Sequence, residues 1–267
     1  MASTAVARND AAHALRIGAR AGYAARGVVY LLVGILVLWS SMHGGASTPG
    51  SEDALAELGE QPFGTFALWL VCAGLAAFAV WRLVQAVRNP DGHGTDAKGI
   101  VLRAALVVSA VIHAALAWSA WTIAQGLGAD SGGEGWTAKL MAESWGRWAV
   151  GLIGLAVIGA GIAHIVKGWK AGFMKYFDVG RGELGALYNV CRFGLVARGV
   201  VFGIIGALLV QAAVRYSSED TGGLKDAFNA ILEQPFGVFL LALVGLGLVA
   251  FSVYCFVEAK HRRVVVR

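Results

Sequence analysis

RAGYAARGVVYLLVG fills residues 20–34, and RFGLVARGVVFGIIG fills residues 192–206. Eight of the fifteen paired positions are identical, among them Arg20 with Arg192, Arg26 with Arg198, and the Gly-Val-Val after the second arginine. After that arginine each stretch runs on without a charged residue, from Gly27 to Met42 and from Gly199 to Val214. Reaching back past the arginine to about Ala21 and Phe193 gives each the ~20 residues that cross a bilayer as a helix. Further along, EQPFG at 60–64 recurs letter for letter at 233–237, at nearly the same offset. What is duplicated is therefore a unit containing this helix and the one after the EQPFG corner.

Working outward from these landmarks, Phe63–Trp81, Ala104–Ala124, Trp148–Val166 and Pro235–Val257 contain no Asp, Glu, Lys or Arg. With the first two helices they make six predicted spans. A soluble fold could bury one helix that is apolar all round, but not six with so little amphipathic cover. The bulk figures agree: 57% apolar, 15% charged and a mean hydropathy of +0.65. The fold class expected is an all-α integral membrane protein.

The middle third carries a more diverged third copy, with Arg103, Ser109 and His113 at the places of Arg20, Arg26 and Tyr30, and Trp145-Gly146 in place of Phe63-Gly64. The predicted organisation is an N-terminal segment at 1–16 and helical hairpins at 17–93, 98–173 and 188–263 in a single membrane domain. Each hairpin crosses twice, so all three enter the membrane alike, and a pseudo-threefold axis would run along the membrane normal. Before the second helix of copies one and three lies a short segment, 53–58 and 226–231; Leu55 and Leu58 share a helical face in the first, which suits it to the outer interface. The Gln-Pro after it makes the corner, because proline disfavours helical geometry in its predecessor and suits a first helical turn.

Charge gives the orientation. Of 22 Lys and Arg residues, 18 fall on the side of the termini and even-numbered loops, and only Lys139, Arg147, Arg215 and Lys225 on the other. Glu52, Asp53, Glu57 and Glu60 in the first loop on that other side, and Glu219, Asp220, Asp226 and Glu233 in the last, lean the same way. By the positive-inside rule both termini are expected in the cytoplasm, with the chain a multi-pass protein of the cell (inner or plasma) membrane. The pI near 9.3 thus reports topology and not a nucleic-acid partner. Arg8, Asp10, His13, Arg16 and Arg20 precede the first apolar run, which ends without a small-residue cleavage site, so no cleaved signal peptide is expected. Cys72, Cys191 and Cys255 fall singly, without the spacing of a disulfide framework or metal site. No cofactor is expected, and the oligomeric state stays open, a homo-oligomer included.

The Arg-x-Gly-x-x-x-Arg-Gly-Val-Val helix, the Gln-Pro-Phe-Gly corner and the triplicated hairpin resemble the bacterial membrane family of domain of unknown function 1206, from about Ile17 to Arg263. The middle copy lacks the second arginine and the Gln-Pro. The resemblance implies location and fold, and no activity.

Function must be read from intramembrane polar groups, each of which is costly to bury. Arg26 and Arg198 lie about five residues into their spans, roughly 7 to 8 Å below the boundary at ~1.5 Å per residue. Arg82 and His164 hold the same place in the second helices of copies one and two, where copy three has Cys255; one turn on come Gln85, Lys167 and Glu258. Around a common axis, Arg26, Arg82, His164 and Arg198 would form a basic layer able to hold a small anion or a lipid phosphate. The simpler expectation is that each arginine snorkels to headgroups separately. His113, midway along its span, cannot snorkel; it is a candidate midplane proton or ligand site, or a neutral imidazole bonded to a hydroxyl or carbonyl on a neighbouring helix. Gly18/Gly22 and Gly199/Gly203 have close-packing spacing. Trp39, Trp121, Trp145 and Trp148 suit an outer aromatic belt, Trp81 and Trp169 an inner one.

No phosphate-binding loop, zinc-protease helix or nucleophile elbow occurs, so no catalytic residue is assigned; a lipid-acting enzyme keeps the weakest support. The leading expectation is a channel or transporter for a small solute or anion, and the alternative is a non-transporting scaffold binding anionic lipid or a partner protein.

Overall fold

The computed structural model describes residues 2–43, 49–127, 140, 143, 145–215 and 224–264, with side chains from residue 12 onward except Leu224. Lys139, Glu219, Asp220 and Arg267, the last one of the 18 basic residues on the side of the termini, lie outside these residues. In chain order the helices are α1 (Ala2–Met42), α2 (Ser51–Glu60), α3 (Gly64–Arg88), α4 (Ala97–Ala124), α5 (Gly146–Trp169), α6 (Arg181–Leu184), α7 (Leu187–Arg215), α8 (Leu224–Leu232) and α9 (Gly237–His261). Within them are six helices long and apolar enough to cross a membrane: α1 from Ala12 onward, α3, α4, α5, α7 and α9. The architecture is all-α, with three repeated hairpins.

The spans pack side by side in the order α4, α3, α1, α9, α7, α5. This is the neighbour order of three hairpins set around an axis, with one junction open. Among the described residues α4 and α5, the two spans of the middle copy, share no extended interface. They are also the least buried spans, whereas α1 and α9 at the centre of the arc are the most buried.

The opening has a cause in small residues. In copy one a Cβ on Gly22 would lie 2.6 Å from that of Phe78, and in copy three a Cβ on Gly194 would collide with the backbone of Phe251. Gly74 meets Ala25 and Gly247 meets Ala197 in the same way. Each outer hairpin is thus closed by two glycine contacts at matching positions, because only a missing side chain lets helix backbones come this near. The corresponding middle-copy residues are Ala105, Val108, Ala156 and Ala160, and no such contact forms. Copies are joined to each other by glycine as well: on α5 and α7, Gly154 faces Gly206 and Gly161 faces Gly199.

The short segments before the second helices do more than rest at an interface. Ala54 and Leu55 on α2, and Phe228 and Ile231 on α8, are buried in one apolar cluster with Val33, Val37, Leu68 and Leu241. Their apolar faces close the half of the bundle away from the termini. The corner after each is the same: Phe63 and Phe236 adopt left-handed φ of 63° and 62°. The amides of Gly64 and Gly237 donate to the carbonyls of Gln61 and Gln234 at 2.7 and 2.8 Å. Left-handed geometry is unusual for a bulky residue. Both phenylalanine rings project outward, almost fully exposed. The repeated pentapeptide therefore shapes a turn and presents an apolar anchor.

Candidate functional site

The half of the bundle nearer the termini is built from one register used on three helices. Tyr23, Arg26 and Tyr30 share a face of α1; Phe78, Arg82 and Gln85 share a face of α3; Phe251, Tyr254, Cys255 and Glu258 share a face of α9. These faces turn inward. Arg26 and Arg198 are only 3% and 8% exposed, so the simpler expectation, that they snorkel separately to headgroups, is corrected. Both guanidinium groups lie against aromatic rings of a neighbouring helix instead.

Aromatic rings take the place that water would have. The Arg26 guanidinium carbon lies 4.9 Å from the centroid of Phe251 and 5.3 Å from that of Phe78. Arg198 lies 4.5 Å from Phe251, 4.7 Å from Phe202 and 4.9 Å from Tyr30. Arg82 lies 4.5 Å from Phe78. Desolvated contacts of this kind contribute about 2 kcal/mol each, less than the several kcal/mol lost on burying a charge.

Carboxylates supply part of the remainder. Glu258, itself buried, accepts from Arg262 Nη1 at 2.6 Å and has Arg26 Nη1 at 4.0 Å. Arg262 Nη2 reaches Asp91 at 3.2 Å. Asp91 also accepts from Gln85 Nε2 at 2.5 Å, and the Gln85 carbonyl accepts from Arg82 Nη1 at 2.9 Å. Lys167, on α5 at the far end of the arc, donates to the Tyr254 hydroxyl at 2.8 Å. Burial works against the charge on Arg262, just past the last span, but Tyr23, Glu258 and Asp91 outweigh it and hold the guanidinium above the ordinary arginine value.

The charges do not balance. Arg26, Arg82, Arg198 and Arg262 are four guanidinium cations, with the Lys167 amine beside them, and Glu258 and Asp91 are two carboxylates. Among the described residues no carboxylate pairs with Arg198, and the Nε atoms of Arg26, Arg82, Arg198 and Arg262 are buried without a hydrogen-bond partner. Cationic N–H donors held by aromatic rings in a low-dielectric setting have the chemistry that a bound anion requires.

The histidines are arranged differently. His113 Nδ1 lies 2.7 Å from the carbonyl of Ser109, and its ring is 4.6 Å from that of Phe78. His164 Nδ1 lies 2.8 Å from the carbonyl of Ala160, beside Phe202. Both bonds stay within the histidine's own helix, four residues back, which corrects the expectation of a neighbouring-helix partner for His113. The structure brings Arg26, Arg82 and Arg198 together around Phe78, Phe251 and Tyr30, with His113 and His164 at the edge of that ring cluster. Trp81 is also corrected: it is buried and donates to the Tyr23 hydroxyl at 3.2 Å, so it belongs to the core and not to an inner belt.

Asp91 and Arg262 were not legible in the sequence, because they lie outside the spans and 171 positions apart when they meet. A second repeat-related device concerns the first arginine of each copy. Arg103 donates to the carbonyls of Ala86 and Val87 at the end of α3, and Arg192 donates to those of Gly168 and Trp169 at the end of α5. Each satisfies helix-terminal carbonyls of the preceding copy, where a cation also meets the negative end of the helix dipole.

The family model described as Domain of Unknown Function (DUF1206) matches three times, over residues 21–89, 104–171 and 193–262. The chain belongs to that family. It is also 30% identical over 248 residues to "Uncharacterized protein YxxB" of Bacillus subtilis (strain 168), covering 91% of this chain and 90% of that protein. No solved structure matches.

Proposed function

We propose that this protein binds a small anion, or a small solute bearing one, at the buried arginine layer and passes it across the cell membrane, with the basic end and both termini on the cytoplasmic side. The supporting observation is the excess of buried cations over carboxylates around Phe251, with Arg198 lacking any carboxylate partner among the described residues. A charge buried this way is tolerated when an opposite charge completes its coordination. Arg26, Arg198 and Arg82 are the groups that would hold the anion, with Lys167 and His164 at its margin. No catalytic role is assigned to any of them.

Flux of small inorganic and carboxylate anions into proteoliposomes tests the reading. Wild-type protein is expected to exceed empty vesicles, and Arg198→Ala to return flux to background. Flux equal to empty vesicles across the panel, unchanged by Arg26→Ala and Arg198→Ala, would overturn it. Tags at Gly94 and in an outer loop, expected to be accessible from opposite faces of the cell, test the orientation.

One observation favours the alternative of a non-transporting scaffold. The half of the bundle away from the termini is closed by apolar side chains from α2 and α8. In that reading the arginine layer holds a resident anion that stabilises the fold, and thermal stability would respond to anions while flux stayed at background.

A further inference from the structure

Arg20 holds the place of Arg103 and Arg192 but makes neither of their bonds. Among the described residues it donates to no helix-terminal carbonyl. Instead it lines a pocket of about 290 Å³, open at the end of the bundle that carries the termini, with Arg16, Arg262, Arg263, Asp178 and Val264. Arg16 and Arg20 are one turn apart on α1, so their side chains reach the same opening. The opposite wall is the segment after the last span, pinned to the loop before α6. There the Arg263 amide donates to the Tyr176 carbonyl at 2.9 Å, and the Asp178 amide donates to the His261 carbonyl at 3.0 Å. Asp178 is the pocket's one carboxylate against four arginines, and it has a partner in His261 at 3.7 Å. Arg262 contributes one edge here while its Nη atoms stay committed to Glu258 and Asp91, and its buried Nε has no partner.

We propose that this pocket is a binding site for a phosphate group, distinct from the cluster of Arg26, Arg82 and Arg198 and sharing only the edge of Arg262 with the buried layer, and that the group is the phosphodiester of an anionic phospholipid in the adjoining leaflet. Guanidinium forks match phosphate oxygens bidentately. Arg16 and Arg20 sit where α1 enters its apolar run, at headgroup depth, and Val264 gives the wall an apolar edge beside which a glycerol backbone packs. The inference does not depend on transport through the deeper layer.

The test uses the full chain in mild detergent, titrated separately with short-chain phosphatidylglycerol, short-chain phosphatidylcholine and inorganic phosphate, reading the thermal unfolding midpoint. Phosphatidylglycerol is expected to raise the midpoint saturably, and phosphatidylcholine to leave it unmoved. R16A/R20A is expected to weaken the phosphatidylglycerol response about thirtyfold, as the loss of two basic side chains near an anionic headgroup implies. Arg198→Ala is expected to leave that response intact, which separates this site from the buried layer. A response to inorganic phosphate of equal strength that R16A/R20A also weakens would keep the phosphate chemistry and overturn the lipid as its source. Equal responses to the two lipids, or a response unchanged in R16A/R20A, would overturn the site. If the double variant does not fold, Arg20→Gln, at an exposed position, carries the same test with a weaker effect.

Discussion

Copies one and three close as hairpins and copy two does not, although all three descend from one pattern. Gly22 lets α1 approach Phe78, and Gly194 lets α7 approach Phe251; the middle copy has Ala105 and Ala160 at those places, and α4 and α5 stand apart. A methyl group where backbones must nearly touch is enough to hold two helices off, and the loss of the aromatic ring removes the surface they would have packed on. The same two copies supply the arginine, aromatic and carboxylate groups of the buried layer, while the middle copy offers its histidines and Lys167. Closure and charge therefore go together: the hairpins that pack tightly are the ones that bury arginine.

The largest effect expected from disturbing this difference is at Glu258, the acidic member of a position occupied by Gln85 and Lys167 in the other copies. Glu258→Gln leaves Arg26 and Arg262 without their shared carboxylate and is expected to cost about 3 to 5 kcal/mol, read from chemical unfolding in micelles. Loss of less than ~1 kcal/mol would mean that the arginines are neutralised by something other than Glu258.

Next in size comes the glycine contact itself. Gly194→Val is expected to destabilise the protein by roughly 1 to 3 kcal/mol or more through overpacking against Phe251. Ala105→Val, at the matching exposed position of the middle copy, should stay within ~0.5 kcal/mol. Equal losses from the two would break the account of why the ring is open.

The first arginines of the copies divide in the same way. Arg103→Ala and Arg192→Ala are each expected to cost about 1 to 2 kcal/mol, since each removes two charge-assisted bonds to helix-end carbonyls at a partly solvated site. Arg20→Ala should leave the unfolding midpoint nearly unmoved in the absence of lipid, because it makes neither bond.

The smallest effect is a pH dependence in the loop joining copies one and two. Burial lowers the pKa of His93 below its ordinary value. Its neutral form is favoured in the folded state, so this contribution is present above the unfolded value of 6.5 and is lost as pH falls from there toward the depressed folded value. His93→Ala should flatten that part of the stability profile, measured by thermal unfolding between neutral and mildly acidic pH.

Much of this plan is written in the chain itself. The runs free of Asp, Glu, Lys and Arg require lipid-spanning helices, because lipid leaves backbone polar groups no partner but each other. The paired RxGxxxRGVV stretches and the repeated EQPFG corners give the number of hairpins and their common orientation. The choice between inward and outward arginines was not legible, because a side chain as long as Arg26 fits either from sequence spacing alone. Trp81 carries the same ambiguity in sequence: a tryptophan near a span's end serves a belt or a core according to which face its helix turns inward.

The linear order of residues determined six spans, three copies, and which end of the bundle is basic, since these follow from transfer free energies summed along a helix. The three-dimensional arrangement alone decided that the ring opens at the middle copy, that Arg198 is left without a carboxylate among the described residues, and that Asp91 meets Arg262. Such facts depend on angstrom-scale backbone approach and on residues far apart in the chain, quantities that the composition of a helix does not contain.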